Sequence, residues 1–353
     1  MSLRIGLLGV GLIGRRHLEI AGRAVGCGIV AAADLAASAR SVVEDAGARF
    51  YTNHLELLAR ERLDGVIIAT PNSAHASVGV ACAEAGLPML VEKPLADSVE
   101  SARALLVTAE AAGVNVAVGH HRRFDPSVEA TKSMLDAGEL GELTAMQCTW
   151  ALRKDDDYYN ADWRTSRAGG GGPGLINLIH DIDLMRHFGG DIARVYAELG
   201  NRARALEVED TIAATIRFTS GAVGSFVTSD ATPSPWGWEQ GSGENPHVPQ
   251  SEHNCYRLLG TRASLALPRL EVHRPSVASA NDWRRPLIRE SISVRARTAL
   301  EDQLANFCAV IRGEDEPRVS GRDGFASLAA TLAVVASGIS GQAVEPEAFE
   351  LAM

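Results

Sequence analysis

The chain has 353 residues, enough for two domains or three, each with a full apolar core. Hydrophobic residues make up 46% and charged residues 22%, close to ordinary soluble domains, which removes collagen-like, disordered and disulfide-scaffold architectures. A formal charge of −10 argues against a sequence-independent nucleic-acid binder, which needs a basic footprint, but leaves room for a local basic pocket.

In chain order, Leu3–Leu8 is a short apolar run ending in glycine and reads as a buried strand. Ile29–Ala33, Gly65–Ala69, Leu87–Val91 and Val114–Val118 repeat that signal. Ala-rich stretches at Ser73–Ala85 and Val99–Ala112 read as helices; Ser98 before the second and Gly113 after it supply start and stop signals. Near-continuous apolar strands alternating with helices imply a parallel sheet covered on both faces. Right-handed crossovers then favour a doubly wound domain over residues 1–120.

Beyond residue 121 the rhythm changes. Phe124–Asp136 reads as a linking helix, Leu143–Leu152 as a long strand, Asp155–Arg167 as a polar and aromatic loop before the glycine run Gly169–Gly172, and Leu175–Phe188 as a helix. Strands follow at Arg194–Asn201, Glu209–Phe218 and Ala222–Thr228; Ile212, Ala214, Ile216 and Phe218 keep a period of two. Pro233–Pro249 is a loop, Cys255–Gly260 and Ser264–Leu267 are strands, and Ala299–Arg312 and Gly324–Gly338 are closing helices. Strands with few crossovers predict an α+β domain over 121–353, built on a large, mostly antiparallel open sheet.

Cys27, Cys82, Cys148, Cys255 and Cys308 are scattered and never form C-x-x-C, so a disulfide framework or a structural zinc site is not expected, and a reducing cytoplasm fits. No uninterrupted apolar run reaches about 18 residues, so no membrane span is expected. Asp155, Asp156 and Asp157 point in different directions and lack a His/Cys set, so no required metal is expected.

Gly9-Val10-Gly11-Leu12-Ile13-Gly14 fits G-x-G-x-x-G directly after the first strand. Gly9 permits a tight turn, Gly11 a close approach to a pyrophosphate, and Gly14 close helix–strand packing, while Leu12 and Ile13 open a helix whose N-terminus faces the phosphates. Such turns are common, but Asp34 ends the next strand about 20 residues on, where an acid accepts the ribose hydroxyls. Taken alone, Asp34 could equally be a surface carboxylate or a cap. A carboxylate there repels a 2′-phosphate, and Leu35 and Ala36 offer it no cation, so NAD is expected over NADP; Arg40, further along, is the one opposing charge.

With these residues the chain resembles the glucose–fructose oxidoreductase/inositol dehydrogenase family, Gfo/Idh/MocA. The matching runs are GVGLIG at 9–14, TPNSAH at 70–75, VEKPL at 91–95, GHHRRFDP at 119–126, GGGPGLINLIHDIDLMR at 170–186 and FCAVIRGEDEPRVSGRDG at 307–324, nearly the whole length. The resemblance implies a Rossmann domain followed by a large-sheet domain, and sheets that pair face to face in a homodimer or homotetramer.

By the same resemblance Lys93 is catalytic, with Glu92 beside it, and Thr70, Pro71, Asn72 and His75 lie along the cofactor, although His75 could equally cap a helix. Position agrees for Lys93: it follows a strand at the carboxyl edge of the sheet, where ligands bind and a lysine can stabilise an alkoxide. On Leu175–Phe188 the helical period puts Leu175, Leu178, Ile179, Ile182 and Met185 on one arc. Asn177, His180, Asp181, Asp183 and His187 fall mostly on the other, which suits an acid–base platform or a plain solvated face. The resemblance makes His180 the general base and gives Asp183 the substrate hydroxyls or the imidazole. It also implies an Asp or Asn four residues before this histidine; here that position is Ile176, with Asn177 next to it. Arg123 is a candidate for substrate or nicotinamide ribose, or for a structural ion pair, and Trp163 a candidate for stacking on a sugar-like face or a surface residue.

The expectation is an NAD-dependent oxidoreductase that moves hydride to or from a secondary alcohol or ketone of a sugar, cyclitol or related polyol. Two alternatives stand beside it: a dehydrogenase or reductase of a non-carbohydrate carbonyl or trans-diol, and a non-enzymatic dinucleotide-sensing regulator.

Overall fold

The computed structural model describes residues 2–167, 169–276 and 282–347. The chain divides into two compact units, residues 1–124 with 298–328, and residues 125–297 with 329–353. The simple split at 120 and 121 therefore shifts: the first unit runs to Phe124, and the chain returns to it late, over Thr298–Leu328.

The first unit opens with β1 (Leu3–Leu8), α1 (Leu12–Ala21), β2 (Cys27–Ala33), α2 (Arg40–Asp45), β3 (Arg49–Tyr51) and α3 (His54–Arg60). It continues with β4 (Gly65–Ile68), α4 (His75–Glu84), β5 (Met89–Val91), α5 (Val99–Ala112) and β6 (Val116–Val118). These strands form a parallel sheet in the order β3-β2-β1-β4-β5-β6. The order reverses between β1 and β4, the crevice where ligands bind in open α/β sheets. Every residue of β4 and β5 is buried, as a sheet covered on both faces requires. Ser98 caps α5 by accepting the Ser101 N–H, and Gly113 ends it in the left-handed region, so the sequence signals there act as read. β3 is three residues of mixed polarity and carries no periodic signal in the sequence.

The second unit holds α6 (Pro126–Asp136), β7 (Leu143–Ala151), α7 (Asp162–Thr165), α8 (Ile179–Gly189), β8 (Ile192–Gly200), β9 (Thr211–Phe218) and β10 (Val223–Ser229). α9 (Trp238–Ser242), β11 (Tyr256–Gly260), β12 (Ser264–Leu267), β13 (Glu271–Arg274) and β14 (Ile288–Ser291) follow. The eight strands form one sheet, β14-β13-β12-β11-β7-β10-β9-β8, whose β10–β7 pair alone is parallel. Ile212, Ala214, Ile216 and Phe218 of β9 face the core with Trp150, Phe226 and Leu258, while Ala213, Thr215 and Arg217 face outward. The fully exposed edge strand β14 has no buried side and left no alternation to find.

Two stretches expected as loops are partly helical. Asp156–Asn160 forms a 3₁₀ turn before α7. Within 233–249, α9 buries Trp238, whose indole N–H donates to Glu244 at 2.8 Å.

The chain closes with α10 (Ala299–Arg312) and α11 (Gly321–Ser340). α11 is long and apolar enough on average to cross a membrane, although Arg322, Asp323, Ser327 and Thr331 interrupt it, so the expectation of no uninterrupted apolar run stands. More than half of it is buried within the protein, with Leu328, Ala329, Ala333 and Val334 almost inaccessible, which is the mark of a core helix.

Candidate active site

In the first unit the turn between β1 and α1 is built by two glycines for internal reasons and by one that the protein does not need. Gly9 has φ +97°, and a Cβ on it would lie 2.4 Å from the Ala69 oxygen. A Cβ on Gly14 would lie 2.2 Å from the Gly9 oxygen. At Gly11 a Cβ would meet nothing within 4 Å, so the space over it is open to a ligand backbone. Gly11 also leaves α1 without a side-chain cap, and no acid stands in the first turn. The unpaired N–H groups and partial positive charge of that end suit a pyrophosphate. Leu12, 91% exposed, flanks the opening, and Ile13 behind it is half-buried.

Asp34 stands at the end of β2. One carboxylate oxygen accepts the Val10 N–H at 2.7 Å and the other the Ala36 N–H at 2.8 Å. Each oxygen keeps a second lone pair, so the group can brace the glycine turn and still accept ribose hydroxyls. Leu35 beside it is 92% exposed. Arg40 is spent on α2 and β3, in an ion pair with Glu44 at 3.0 Å and over the Phe50 ring at 4.8 Å.

After β4, Thr70 has a buried hydroxyl with no hydrogen-bond partner among the described residues. Pro71 leads into the 3₁₀ turn Asn72–Ala74. His75 is buried, and its two ring nitrogens lie 2.7 Å from the Pro94 oxygen and 2.8 Å from the Thr70 oxygen. Burial holds this imidazole below its usual pKa, against the pull of both carbonyls. A neutral ring donates to one of these two carbonyls, which ties His75 to the Thr70 and Pro94 loops. The open glycine, uncapped helix, ribose-ready carboxylate and orphan hydroxyl together fit a dinucleotide.

Lys93 follows Glu92 at the end of β5. Glu92 is 5% exposed; one oxygen lies 2.8 Å from His17 Nε2 and the other accepts the Lys93 N–H at 3.3 Å. Burial pushes the Glu92 carboxyl up, but the His17 hydrogen bond and the charges of His17, His121 and Lys93 outweigh it and hold the group below its usual value. Nothing in the sequence singled out His17. Arg123 is buried and pairs with Asp323 at 3.3 Å, the structural ion pair that was one of its two readings.

The second unit carries the other candidates. The helix expected over 175–188 begins as a π-turn, Gly174–Leu178, before α8. Such turns gather at functional sites. Ile176 and Asn177 lie on it, both half-buried. The polar side of α8 is not a solvated face: His180 is 7%, Asp181 0% and Asp183 1% exposed. Buried carboxylates need donors, and Asp181 accepts one from the Tyr256 hydroxyl of β11. Glu209 is a second buried acid that the sequence did not reveal. It accepts the Gly174 N–H at 3.3 Å and pairs with Arg167 at 3.2 Å, so it ties the glycine run to the start of β9. A Cβ on Gly172 would lie 2.7 Å from it, which explains that glycine. Trp163 is 39% exposed under the Arg164 guanidinium at 5.1 Å, and Arg164 also covers Tyr158 at 4.0 Å.

The first unit thus gathers Gly9, Gly11, Gly14, Asp34, Thr70 and Lys93 at the carboxyl edge of its sheet, and the second gathers Asn177, His180 and Asp183 on the π-turn and α8.

Residues 3–120 match the family model of an oxidoreductase family with an NAD-binding Rossmann fold, and residues 128–266 match that of the GFO/IDH/MocA C-terminal domain. Among curated relatives, the 1,5-anhydro-D-fructose reductase of Ensifer adhaerens is 29% identical over 349 residues, 98% of each chain. The inositol 2-dehydrogenase of Rubrobacter xylanophilus is 29% identical over 359 residues, covering 99% of this chain and 94% of the relative. A solved oxidoreductase from Agrobacterium radiobacter, in complex with NAD+, L-tartaric acid and magnesium, superposes with a TM-score of 0.83 at 20% identity over 99% of both chains.

Proposed function

Since the chain belongs to the Gfo/Idh/MocA oxidoreductase family and carries its NAD-binding domain, we propose that it interconverts a secondary alcohol and a ketone on a sugar, cyclitol or related polyol. The observation that carries this reading is the carboxyl edge of the parallel sheet, where an open dinucleotide cradle and the anchored Lys93 follow neighbouring strands. The two full-length relatives, a sugar reductase and an inositol dehydrogenase by name, support the substrate class.

When bound, the dinucleotide accepts or supplies the hydride. Lys93 polarises the reacting oxygen and stabilises its developing negative charge. His180 takes the hydroxyl proton in oxidation and returns it in reduction. Asp183 and Asn177 contact substrate hydroxyls, with Trp163 and Arg123 as further candidates. Asp34 selects NAD over NADP, because a 2′-phosphate would meet its carboxylate with only Leu35 and Ala36 beside it and Arg40 already paired.

The outer face of the second sheet supports a homodimer or homotetramer. Val223 and Val227 of β10, Tyr196 of β8 and Leu259 of β11 are exposed on this sheet, and an uncovered apolar sheet face is a site of association. All five cysteines are buried, which suits a reducing compartment such as the cytoplasm.

The test is a panel of polyols, cyclitols and sugars with NAD+ and with NADP+, followed at the nicotinamide absorbance. Turnover of at least one polyol with preference for NAD+ is expected. Tight NADH binding with no turnover on any member would overturn the reading.

A further inference from the structure

We infer that His17, which lies outside the dinucleotide fingerprint, is a positioning residue for Lys93 and acts through the Glu92 carboxylate. His17 sits on α1 with its side chain 1% exposed, and Glu92 leaves β5 with its side chain 6% exposed. Two polar groups this deep are costly unless they satisfy each other. His17 Nε2 lies 2.8 Å from one oxygen of Glu92, and its Nδ1 makes no hydrogen bond among the described residues, so within them Glu92 is the polar anchorage of the ring. The second oxygen of Glu92 accepts the backbone N–H of Lys93 at 3.3 Å. One carboxylate therefore ties the lysine's own peptide to α1, the helix whose first turn forms the pyrophosphate end of the cradle.

The remaining contacts keep that carboxylate in one place. Gly119, just after β6, lies under it: a Cβ there would stand 2.9 Å from Glu92 Oε2 and 3.1 Å from its Cα. Apart from His17, the charged groups acting on it are His121, from the turn after β6, and Lys93 itself. Without His17 the carboxylate loses its hold on α1 and can turn toward these two, carrying the Lys93 peptide with it. A displacement of about 1 Å in a catalytic group can cost up to about a hundredfold in rate.

The chain contains three lysines, Lys93, Lys132 and Lys154, which makes Lys93 directly visible. Reductive 13C-methylation followed by carbon–proton NMR yields one signal for each, beside that of the N-terminus, and Lys93→Arg assigns the first. In His17→Leu the Lys93 signal is expected to move, in position or in titration midpoint, while those of Lys132 and Lys154 stay. His17→Gln, which retains a side-chain N–H donor, is expected to restore it. In a Glu92→Gln background His17→Leu is expected to add nothing further. An unmoved Lys93 signal, or an equal effect with and without the Glu92 carboxylate, overturns the inference. If His17→Leu does not fold, His17→Asn, which is too short to reach Glu92, takes its place. The kinetic consequence rests on the proposed polyol chemistry: kcat falls about tenfold with the dinucleotide KM unchanged. A wild-type protein that turns over no polyol would remove that reading alone, since the NMR result decides the role of His17 without a substrate.

Discussion

The carboxyl edge of the parallel sheet and the π-turn with α8 both carry candidate catalytic groups, but they hold them by different means. At the edge the backbone does most of the work: two glycines fit where a Cβ would collide with a carbonyl, an uncapped helix end is left open, and Asp34 braces the turn through two N–H groups. Around α8 the work falls to buried side chains whose partners come from other parts of the chain, Asp181 on Tyr256 of β11 and Glu209 on Arg167 and Gly174. Backbone requirements leave a fixed local spacing in the sequence. Side-chain partnerships leave only a polar letter, with its partner far along the chain.

The largest effect that would test this contrast is at the edge. Lys93→Met is expected to lower kcat by about 10²–10⁴ with little change in NADH affinity, read by turnover on a polyol and by NADH fluorescence. Normal turnover would remove Lys93 from the chemistry. Around α8, Tyr256→Phe takes a donor from the buried Asp181 carboxylate and is expected to cost about 1–3 kcal/mol in chemical denaturation, again with NADH affinity preserved. If NADH affinity fell with stability, the two regions would not be held independently.

A smaller effect is expected from Asp34→Ala. The ratio of NAD+ to NADP+ specificity should fall about tenfold, equivalent to ~1.4 kcal/mol, in initial-rate measurements with both cofactors. An unchanged ratio would place the discrimination elsewhere.

The smallest concerns His75, the strut between two loops of the edge. Its folded pKa lies below the ordinary value, so the neutral ring is favoured and its contribution is fully present above about pH 6.5. As pH falls from there toward the lowered value, the unfolded chain binds the proton first and stability is lost. Thermal melts of the wild type between pH 7.5 and 5 should show this decline, and His75→Asn should show less of it. Parallel curves would mean that His75 does not contribute.

Much of the edge was legible beforehand. Leu3–Leu8, Val99–Ala112, Ser264–Leu267 and Ala299–Arg312 have the bounds read from the sequence, because apolar runs and their caps are local. The short β3, the exposed β14 and the π-turn were not, since none carries a helical or alternating period long enough to register. His17 looked like any polar residue on α1, and its partner Glu92 lies four strands further along the chain, just after β5.

The sequence alone determined the doubly wound first half, the dinucleotide turn, the position of Lys93 at a strand end, and the family to which the chain belongs. These depend on spacing, which a chain carries whether folded or not. Only the tertiary structure decided that the polar side of α8 is buried, that His75 and Arg123 are held by other parts of the protein, that α11 is a core helix, and that Glu92 is anchored on His17. Each of those is a question of which distant groups share a low-dielectric interior, where a buried polar atom left without a partner is costly.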